Sequence, residues 1–209
     1  MSKPHRIYGS ELSPYSVKVR SFFRYKGIPH RFLVRDAGTM ADYQKFAKLP
    51  LIPLVVTPGD EGLQDSTPIL ETIEQRFPEP STHPEDTAAR FLSLLLEEFG
   101  DEWGNKWMFH LRWSRPEDCL SAGGRIAASM VAPEDEAGRI AMREKVIERM
   151  RGRVGFVGSN PDTAPQIERS FRDALDLLER HLALRPYLFG GRPCFADFGL
   201  WGQIYEAWT

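Results

Sequence analysis

The sequence has only two cysteines, Cys119 and Cys194, and they lie far apart. Neither belongs to a Cys-x-x-Cys pair, which excludes a disulfide framework and a cysteine zinc site. The five histidines show no metal-ligand spacing with one another or with these cysteines. We therefore expect no metal ion in this protein.

A strong charge of either sign and a long apolar run are also absent. With 27 Lys and Arg against 29 Asp and Glu, the formal net charge is -2, so no global basic field attracts nucleic acid or anionic lipid. No apolar stretch is long enough to span a bilayer, and residues 1–6 lack the apolar run of a signal peptide. We expect a cytoplasmic protein with no nucleic-acid or membrane partner.

The first third of the sequence does contain an alternation of short β-like runs and helical runs. Residues 58–61, Pro-Gly-Asp-Glu, are typical of a hairpin turn between two of these runs. The order is that of a β-α-β unit followed by a β-β-α unit, which indicates an α/β domain. The predicted elements are strands at 6–8, 30–34, 54–57 and 62–65, and helices at 14–26, around 40–48 and through 69–77.

A proline-rich segment separates this part from the rest of the chain. Residues 77–84 contain three prolines, which stop a helix and favour an extended connector. After them apolar residues recur every four positions, as at Phe91, Leu95 and Phe99, and this spacing predicts helices. The predicted organisation is an α/β domain at residues 1–77, a linker at 78–85 and an all-helical domain at 86–209.

Ser13 is the first residue with a specific chemical interpretation. It lies just before the predicted helix that follows the first strand, so it is the expected N-cap, and a capping hydroxyl stabilises a helix by ~1 kcal/mol. The alternative is that this hydroxyl and the exposed amides of the helix start hold a bound anion such as a thiolate. A helix N-terminus lowers the pKa of a thiol from its usual value of about 8.5, which favours the thiolate at neutral pH.

Two residue pairs carry comparable alternatives. Ile52-Pro53 precedes a predicted strand, where a cis peptide would expose a backbone amide and carbonyl; the alternative is a trans proline opening an edge strand. Asp65-Ser66 starts a predicted helix, where the amides suit a carboxylate and Asp65 suits an ammonium group. The alternative is an N-cap with an acidic neighbour. The second pair matches the two charges of a free α-amino acid end.

In combination these motifs resemble the glutathione transferase superfamily. Ser-Pro-Tyr-Ser at 13–16 follows the first strand, Ile-Pro at 52–53 precedes the third strand, and Asp-Ser at 65–66 precedes the third helix. The likeness continues in the second half, where residues 186–191 and 193–198 are similar to the start of a buried helix of the family. The resemblance implies a thioredoxin-like N-terminal domain that holds glutathione, an all-α C-terminal domain and a homodimer.

The resemblance also assigns roles to individual residues. Ser13 matches the serine that hydrogen-bonds the glutathione sulfur in the serine-type classes of the family. Ile52 would exchange backbone hydrogen bonds with the cysteinyl unit, and Pro53 would be the cis proline. Asp65 and Ser66 match the pair that binds the γ-glutamyl end. Glutathione is thus the expected co-substrate.

Two departures from the family pattern bear on function. Many members carry a lysine just before the Val/Ile-Pro pair, where it reaches the glycyl carboxylate; this chain has Leu51 there, so Lys45 or Lys48 would have to substitute. Ser13 and Ser16 stand where a thioredoxin-like cysteine pair would lie, which excludes redox catalysis through this motif.

An aromatic-rich segment of the first long helix of the second domain suggests the second substrate. We expect Tyr15, Trp107 and His110 to line a pocket for a hydrophobic, aromatic electrophile; the alternative is that the tryptophans pack in the core. The predicted function is that of a glutathione transferase in which Ser13 stabilises the attacking thiolate. A non-catalytic ligand-binding or protein-interaction module of the same fold is the alternative.

Overall fold

The computed structural model describes residues 3–208, in which four strands and nine α-helices are present. None of the helices in this range is both long and apolar enough to cross a membrane. The strands are β1 (His5–Gly9), β2 (His30–Val34), β3 (Leu54–Val56) and β4 (Gly62–Gln64). The helices are α1 (Pro14–Tyr25), α2 (Met40–Phe46), α3 (Ser66–Arg76), α4 (Thr87–Phe99), α5 (Asn105–Ser114), α6 (Pro116–Met130), α7 (Glu136–Arg151), α8 (Ala164–Leu182) and α9 (Phe195–Ala207), with a π-helical segment at Gly100–Gly104 and a 3₁₀ turn at Val154–Val157.

The strands form one mixed sheet in the order β2-β1-β3-β4. β1 runs parallel to β2, with Ile7 opposite Phe32, and antiparallel to β3, with Ile7 opposite Val55. β3 and β4 form an antiparallel hairpin, and its turn contains Asp60 at a φ of 62°. The α/β class predicted for the first part of the chain is confirmed by this β-α-β and β-β-α arrangement.

The two faces of the sheet enter different cores, because successive side chains of a strand point to opposite faces. Ile7 belongs to the larger core, where Phe22 of α1 and Ile69 of α3 are fully buried. Tyr8 belongs to a smaller core on the other face, together with Tyr43 of α2. The sheet is therefore covered by helices on both faces.

Helix α1 begins and ends at residues suited to those positions. Ser13 has an extended backbone, and its side chain accepts a hydrogen bond from the Ser16 N–H group. Pro14 occupies the first turn, where no amide donor is required. Gly27 has a φ of 64°, a left-handed value that glycine tolerates, and the chain leaves the helix there. The helix predicted at 14–26 thus ends one residue early, at Tyr25.

The proline-rich connection after α3 is held against the first helix. The Lys26 ammonium donates to the carbonyls of Phe77 and Pro80 at 2.5 and 3.0 Å, and it pairs with Glu74 at 2.7 Å. Glu74 also accepts hydrogen bonds from the backbone and the hydroxyl of Thr82. The connection is therefore anchored by buried polar contacts. The assignment of residues 78–85 as the linker between two domains stays a prediction.

Helix α9 is the centre of the helical half. Phe195, Ala196 and Phe198 are buried on it, and it packs against α1, α4 and α5. A helix that is apolar around its circumference is typical of such a central position. The Asp197 carboxylate accepts hydrogen bonds from the N–H groups of Leu188 and Cys194 at 3.0 and 2.9 Å, which fixes the start of the helix. The all-helical class predicted for this half is confirmed.

The apolar stripe of α4 points away from the core of this chain. The spacing of Phe91, Leu95 and Phe99 correctly predicts a helix, yet all three side chains are exposed, Phe91 by 64%. Periodicity identifies an apolar helix face, but it does not identify what covers that face.

Residues 151–160, predicted as a flexible connection, contain the short 3₁₀ turn and a left-handed Gly158.

Close packing of α9 on α1 leads to a stability prediction. A Cβ atom added at Gly202 would lie 2.5 Å from the backbone oxygen of Pro14, which cannot move without shifting the helix. We expect Gly202→Ala to lower the free energy of unfolding by about 1–3 kcal/mol. Gly124→Ala is the matched control, because a Cβ atom at this helical glycine would meet Arg143 at an ordinary 3.9 Å. Urea unfolding measures both variants, and an unchanged stability of Gly202→Ala would contradict the prediction.

Candidate functional site

A cavity of about 700 Å³ lies where α1, the loop before β3, the start of α3 and the segment after α4 meet. Its wall contains most of the residues predicted from the sequence as site residues. These are Tyr15, Ile52, Pro53, Asp65 and Ser66. The structure therefore brings together residues from three separate parts of the N-terminal half.

The loop before β3 is held rigidly at the edge of this cavity. The peptide bond between Ile52 and Pro53 is cis, as predicted. The Tyr43 hydroxyl donates to the Leu51 carbonyl at 2.7 Å, and the Gln64 amide donates to the same carbonyl at 3.0 Å. Within residues 3–208, no hydrogen bond to the backbone of Ile52 is present. Its amide and carbonyl are thus free to bind an extended ligand.

Asp65 has an unusual backbone for a residue with a side chain. Its φ of 74° and ψ of 129° lie in a sparsely populated region, which costs about 1–3 kcal/mol. Although Asp65 precedes α3, its side chain makes no capping hydrogen bond. The alternative for this pair was an N-cap with an acidic neighbour, and Asp65, which occupies the N-cap position, makes no such bond with its side chain. The exposed carboxylate remains available at the cavity wall.

A buried charge cluster lies directly behind Ser66. Lys18 of α1 is 1% exposed, and its ammonium pairs with Glu97 and, at 2.6 Å, with Asp101. The same ammonium donates to the hydroxyls of Ser66 and Thr67 at 3.3 and 3.1 Å. The cluster ties the start of α3 to α1 and to the helical half. We call these five residues the Lys18 cluster.

Sequence reasoning missed the Lys18 cluster, although two signals for it exist. Glu97 and Asp101 are four residues apart in a helical segment, which brings their carboxylates to one side. Lys18 falls between Val17 and Val19 in an otherwise apolar part of α1. A lysine at such a position requires an acidic partner, but the sequence does not say which one.

One ammonium cannot neutralise both carboxylates of the cluster. Burial raises the pKa of Asp101 to about 6, and the attraction of Lys18 offsets this only in part. Oδ1 of Asp101 is buried and accepts no hydrogen bond from any residue that the structure describes. Asp101 also lines the cavity, so its carboxylate would attract a cationic group bound there.

Ser13 is half-buried at the start of α1 and is not among the residues of the cavity wall. Its oxygen accepts from the Ser16 N–H at 3.3 Å, so its hydroxyl proton can still be donated. Arg112 of α5 donates to the Leu12 carbonyl at 2.7 Å and pairs with Glu206 of α9. The helical half thereby holds the loop that carries Ser13.

Tyr15 lines the cavity, and its hydroxyl proton is engaged in a hydrogen bond within the protein. Its hydroxyl donates to the backbone carbonyl of Asp101 at 3.0 Å. Burial raises the pKa of Tyr15 well above its usual value, and the nearby Asp101 charge acts in the same direction. Tyr15 therefore remains a neutral phenol over the physiological pH range.

The structure does not bring Trp107 and His110 to this cavity. Trp107 is 1% exposed, and its indole N–H donates to Ser170 of α8 at 2.8 Å. His110 is also buried, with Nδ1 2.7 Å from the Ser159 hydroxyl oxygen. Both side chains face the interior of the helical half, which agrees with the alternative that this segment packs in the core. The pocket-lining expectation for these two residues is corrected accordingly.

The two lysines considered for the glycyl end occupy different positions. Lys48 borders the cavity. Lys45 is on the surface of α2 and lies 3.5 Å from Asp42. Of these two lysines, Lys48 is the one that lines the cavity.

Comparison with known proteins gives a consistent family. Residues 7–81 match the family described as "Glutathione S-transferase, N-terminal domain", and residues 145–209 match "Glutathione S-transferase, C-terminal domain". A glutathione S-transferase of Triticum aestivum is 31% identical over 90 residues, which cover 43% of this chain and 42% of that protein. The match thus spans less than half of the wheat protein. The isoprene-epoxide–glutathione S-transferase of Rhodococcus sp. (strain AD45) is 22% identical over 203 residues, 93% of this chain and 79% of that protein.

Solved structures share the fold over nearly the whole chain. A glutathione S-transferase from Methylobacterium radiotolerans, crystallised in complex with glutathione sulfonate, superposes with a TM-score of 0.58 at 20% identity. The superposition covers 99% of this chain and 80% of that one. At this identity the likeness establishes the fold.

The Lys18 cluster leads to a second stability prediction. Replacing Lys18 by Met leaves two buried carboxylates without their cation, so we expect the free energy of unfolding to fall by about 3–5 kcal/mol. Lys45→Met is the matched control, since Lys45 makes a surface ion pair and is 66% exposed. Urea unfolding at neutral pH measures both variants. Equal stabilities would show that the buried pair contributes no more than the surface pair.

Proposed function

The chain belongs to the glutathione transferase superfamily, and from this premise we propose that it binds glutathione beside Pro53 and activates its thiol for attack on an electrophile. The observation that carries the proposal is a pair of acidic residues on the cavity wall, Asp65 before α3 and Asp101 after α4. Asp65 has a strained backbone, and its side chain makes no capping hydrogen bond. Asp101 has a buried carboxylate oxygen without a hydrogen-bond partner in the described residues 3–208. The ammonium group of a free α-amino acid end would be attracted by both carboxylates.

In this proposal the γ-glutamyl end of glutathione binds at the start of α3. Its ammonium group pairs with the carboxylates of Asp65 and Asp101. Its carboxylate accepts hydrogen bonds from the free N–H groups of Ser66 and Thr67, because the first amides of a helix have no partner within the helix. The Lys18 cluster supports this arrangement by fixing both hydroxyls of the same turn.

The rest of the tripeptide would follow the wall of the cavity. The cysteinyl unit exchanges hydrogen bonds with the unpaired backbone of Ile52, in the manner of a short antiparallel strand. The glycyl carboxylate reaches Lys48, which replaces the lysine that many members of the family have at the position of Leu51. Both residues border the cavity, which supports this direction of binding.

The thiol would be activated at the start of α1. The Ser13 hydroxyl donates a hydrogen bond to the sulfur, and the positive end of the helix dipole favours the thiolate. Arg112 contributes as a positioning residue, because it holds the Leu12 carbonyl next to Ser13. The thiolate then attacks the electrophile directly, with no covalent enzyme intermediate.

For the electrophile we propose a hydrophobic compound. Leu49 and Leu51 are more than half exposed and border the cavity, and the Tyr15 ring lies on its wall. The aromatic character predicted for the electrophile rests on the sequence pattern, because Trp107 and His110 are buried elsewhere.

One observation favours a second candidate function, a non-catalytic module of the same fold. Ser13 caps α1 and is not part of the cavity wall, so its hydroxyl has a structural role that is independent of any thiol. In such a module the cavity would bind a ligand without activating it. Measuring thiol ionisation separately from binding distinguishes the two functions.

The decisive experiment is calorimetric titration of glutathione into wild type and variants, with thiolate absorbance read on the same samples. We expect Ser13→Ala to keep most of the affinity and to lose the thiolate signal. Asp101→Asn should weaken binding by about 10-fold to 100-fold, since it removes a charged hydrogen-bond acceptor for the ammonium. Ser129→Ala, on the exposed face of α6, is the control for the loss of a hydroxyl.

The outcomes separate the two functions. A thiolate signal in wild type that disappears in Ser13→Ala supports the transferase. Binding without a thiolate signal supports the non-catalytic module. No binding of glutathione to wild type would overturn the glutathione site itself.

We also propose that the protein is a homodimer, as the resemblance implies. The exposed apolar stripe of α4 supports this, since Phe91 and Leu95 would be covered by a second copy.

Introducing a charge into this stripe tests the homodimer. We expect Leu95→Lys to convert a dimer into a monomer, whereas Ile140→Lys on α7, also at an exposed apolar position, should leave the dimer intact. Size-exclusion chromatography with light scattering measures the mass of each. A monomeric wild type at high micromolar concentration would contradict the proposal.

A further inference from the structure

The turn between α7 and α8 holds a phenylalanine side chain in solvent. Phe156 belongs to the 3₁₀ turn Val154–Val157, and its side chain is 84% exposed. A Cβ atom added at Gly155 or Gly158 would meet no atom within 4 Å beyond its chain neighbours, so open space surrounds the turn. Phe156 therefore lies on a convex part of the surface and not in a groove.

The backbone on the far side of Phe156 is anchored to α5. The Val157 carbonyl accepts a hydrogen bond from the Lys106 ammonium at 3.3 Å. The next anchor is Ser159, which is buried, with its hydroxyl oxygen 2.7 Å from Nδ1 of His110. The Phe156 ring cannot turn into the core without breaking these contacts. Its exposure is therefore imposed by the fold.

A row of cations on α7 leads to this turn. Lys145, Arg149 and Arg153 follow one another at intervals of four residues, a spacing that brings side chains to one face of a helix. All three are exposed, and within residues 3–208 none of them pairs with an acidic side chain. Lys106 adds a cation behind the turn. We call Lys145, Arg149, Arg153 and Phe156 the Phe156 tip.

Acidic residues of the same stretch offset these charges only in part. Residues 144–156 contain four cationic and two acidic side chains, a net charge of +2, whereas the whole chain carries -2. The two acids are Glu144 and Glu148. The fourth cation, Arg151, lies near Cys119 of α6: burial raises the pKa of that thiol, the Arg151 charge opposes the rise, and the Asp118 charge adds to it. Because Asp118 balances Arg151 on that side, Arg151 is not counted in the tip.

Local charge decides how this side of the molecule meets another surface. The overall charge of -2 predicts no membrane partner, but at physiological salt charges beyond about 8 Å are largely screened. Proteins bind single-stranded nucleic acid in a charged groove with aromatic stacking platforms, and a convex turn offers no groove. A flat anionic surface with an apolar layer beneath it is complementary to both the cations and the protruding ring.

We propose that the Phe156 tip docks the protein on an anionic phospholipid surface. Lys145, Arg149 and Arg153 contact the headgroups, and the Phe156 ring enters the boundary between headgroups and acyl chains. Binding is reversible, because three cations and one ring supply far less than a membrane-spanning helix. Neither glutathione nor Ser13 takes part, so this proposal and the proposed transferase function can fail independently.

The test is co-sedimentation of the 209-residue protein with lipid vesicles in the absence of glutathione. Vesicles of equal parts phosphatidylcholine and phosphatidylserine are compared with vesicles of phosphatidylcholine alone. We expect about 10-fold to 100-fold tighter binding to the anionic vesicles, because each cation near such a surface contributes about fivefold. Salt at about 1 M should remove the difference, since it shortens the screening length to about 3 Å.

Neutralising the cations tests the contribution of charge. The variant Lys145→Gln/Arg149→Gln/Arg153→Gln should lose most of the preference for anionic vesicles. A control removes the same charge from exposed arginines outside the tip and should keep the preference. It is Arg31→Gln/Arg180→Gln/Arg185→Gln. Because both variants have the same net charge, a difference between them reports where the cations lie.

Replacing the aromatic ring tests its insertion. Phe156→Ser should weaken binding to anionic vesicles by about tenfold or more, because the burial of a large apolar side chain is lost. Leu184→Ser is the matched control, since Leu184 is 87% exposed and lies outside the tip. Phe156→Trp should keep the binding, and its added fluorescence should shift to shorter wavelength on anionic vesicles as the indole leaves water.

Three results would overturn the proposal, provided that circular dichroism shows folded variants. The first is equal binding to the two kinds of vesicle, or equal binding by a tip variant and its control. The second is tighter binding to a single-stranded oligonucleotide than to anionic vesicles, since nucleic acid would then be the partner. The third is a mass in light scattering that falls in Phe156→Ser, since a second copy of the chain would then cover the tip.

Discussion

The buried ammonium group of Lys18 connects the helices that surround the candidate site. It pairs with Glu97 and Asp101 from the helical half, and it hydrogen-bonds Ser66 and Thr67 at the start of α3. A charge removed from water must be compensated inside the protein, or the cost reaches several kcal/mol. Helices α1, α3 and α4 are therefore held in one relative arrangement. The cavity lies where that arrangement leaves space between them.

The same constraint produces an acidic group with an unmet hydrogen bond. Two carboxylates share one ammonium, so Asp101 keeps a buried oxygen without a partner in the described chain, and burial raises its pKa to about 6. Nearby, Asp65 is held in a strained backbone conformation. Unsatisfied and strained groups persist where the surrounding structure imposes them, and they are concentrated at functional sites. The ammonium group of a ligand would be attracted by the carboxylates of Asp65 and Asp101 on the cavity wall, which is the physical basis of the proposed glutathione site.

Several elements were predictable because their signals are local. Ser13 and Pro14 start α1 and Gly27 ends it, and all three act on the backbone of a few neighbouring residues. The order of strands and helices in the first domain followed from the same kind of signal. Trp107 shows the limit of such reasoning. Its place on a helix was predictable, but its burial depends on α8, which lies more than fifty residues further along the chain.

The sequence by itself determined the order of strands and helices in the first part, the helical class of the second part and the family, because caps, turns and apolar periodicity act within a few residues. Only the tertiary structure decided which polar groups meet. Lys18 and Asp101 are 83 positions apart, and no local pattern specifies their contact. It also decided which apolar faces stay uncovered, as on α4 and around Trp201, since coverage depends on how whole helices pack. The site arises from these long-range contacts, which the folded chain alone establishes.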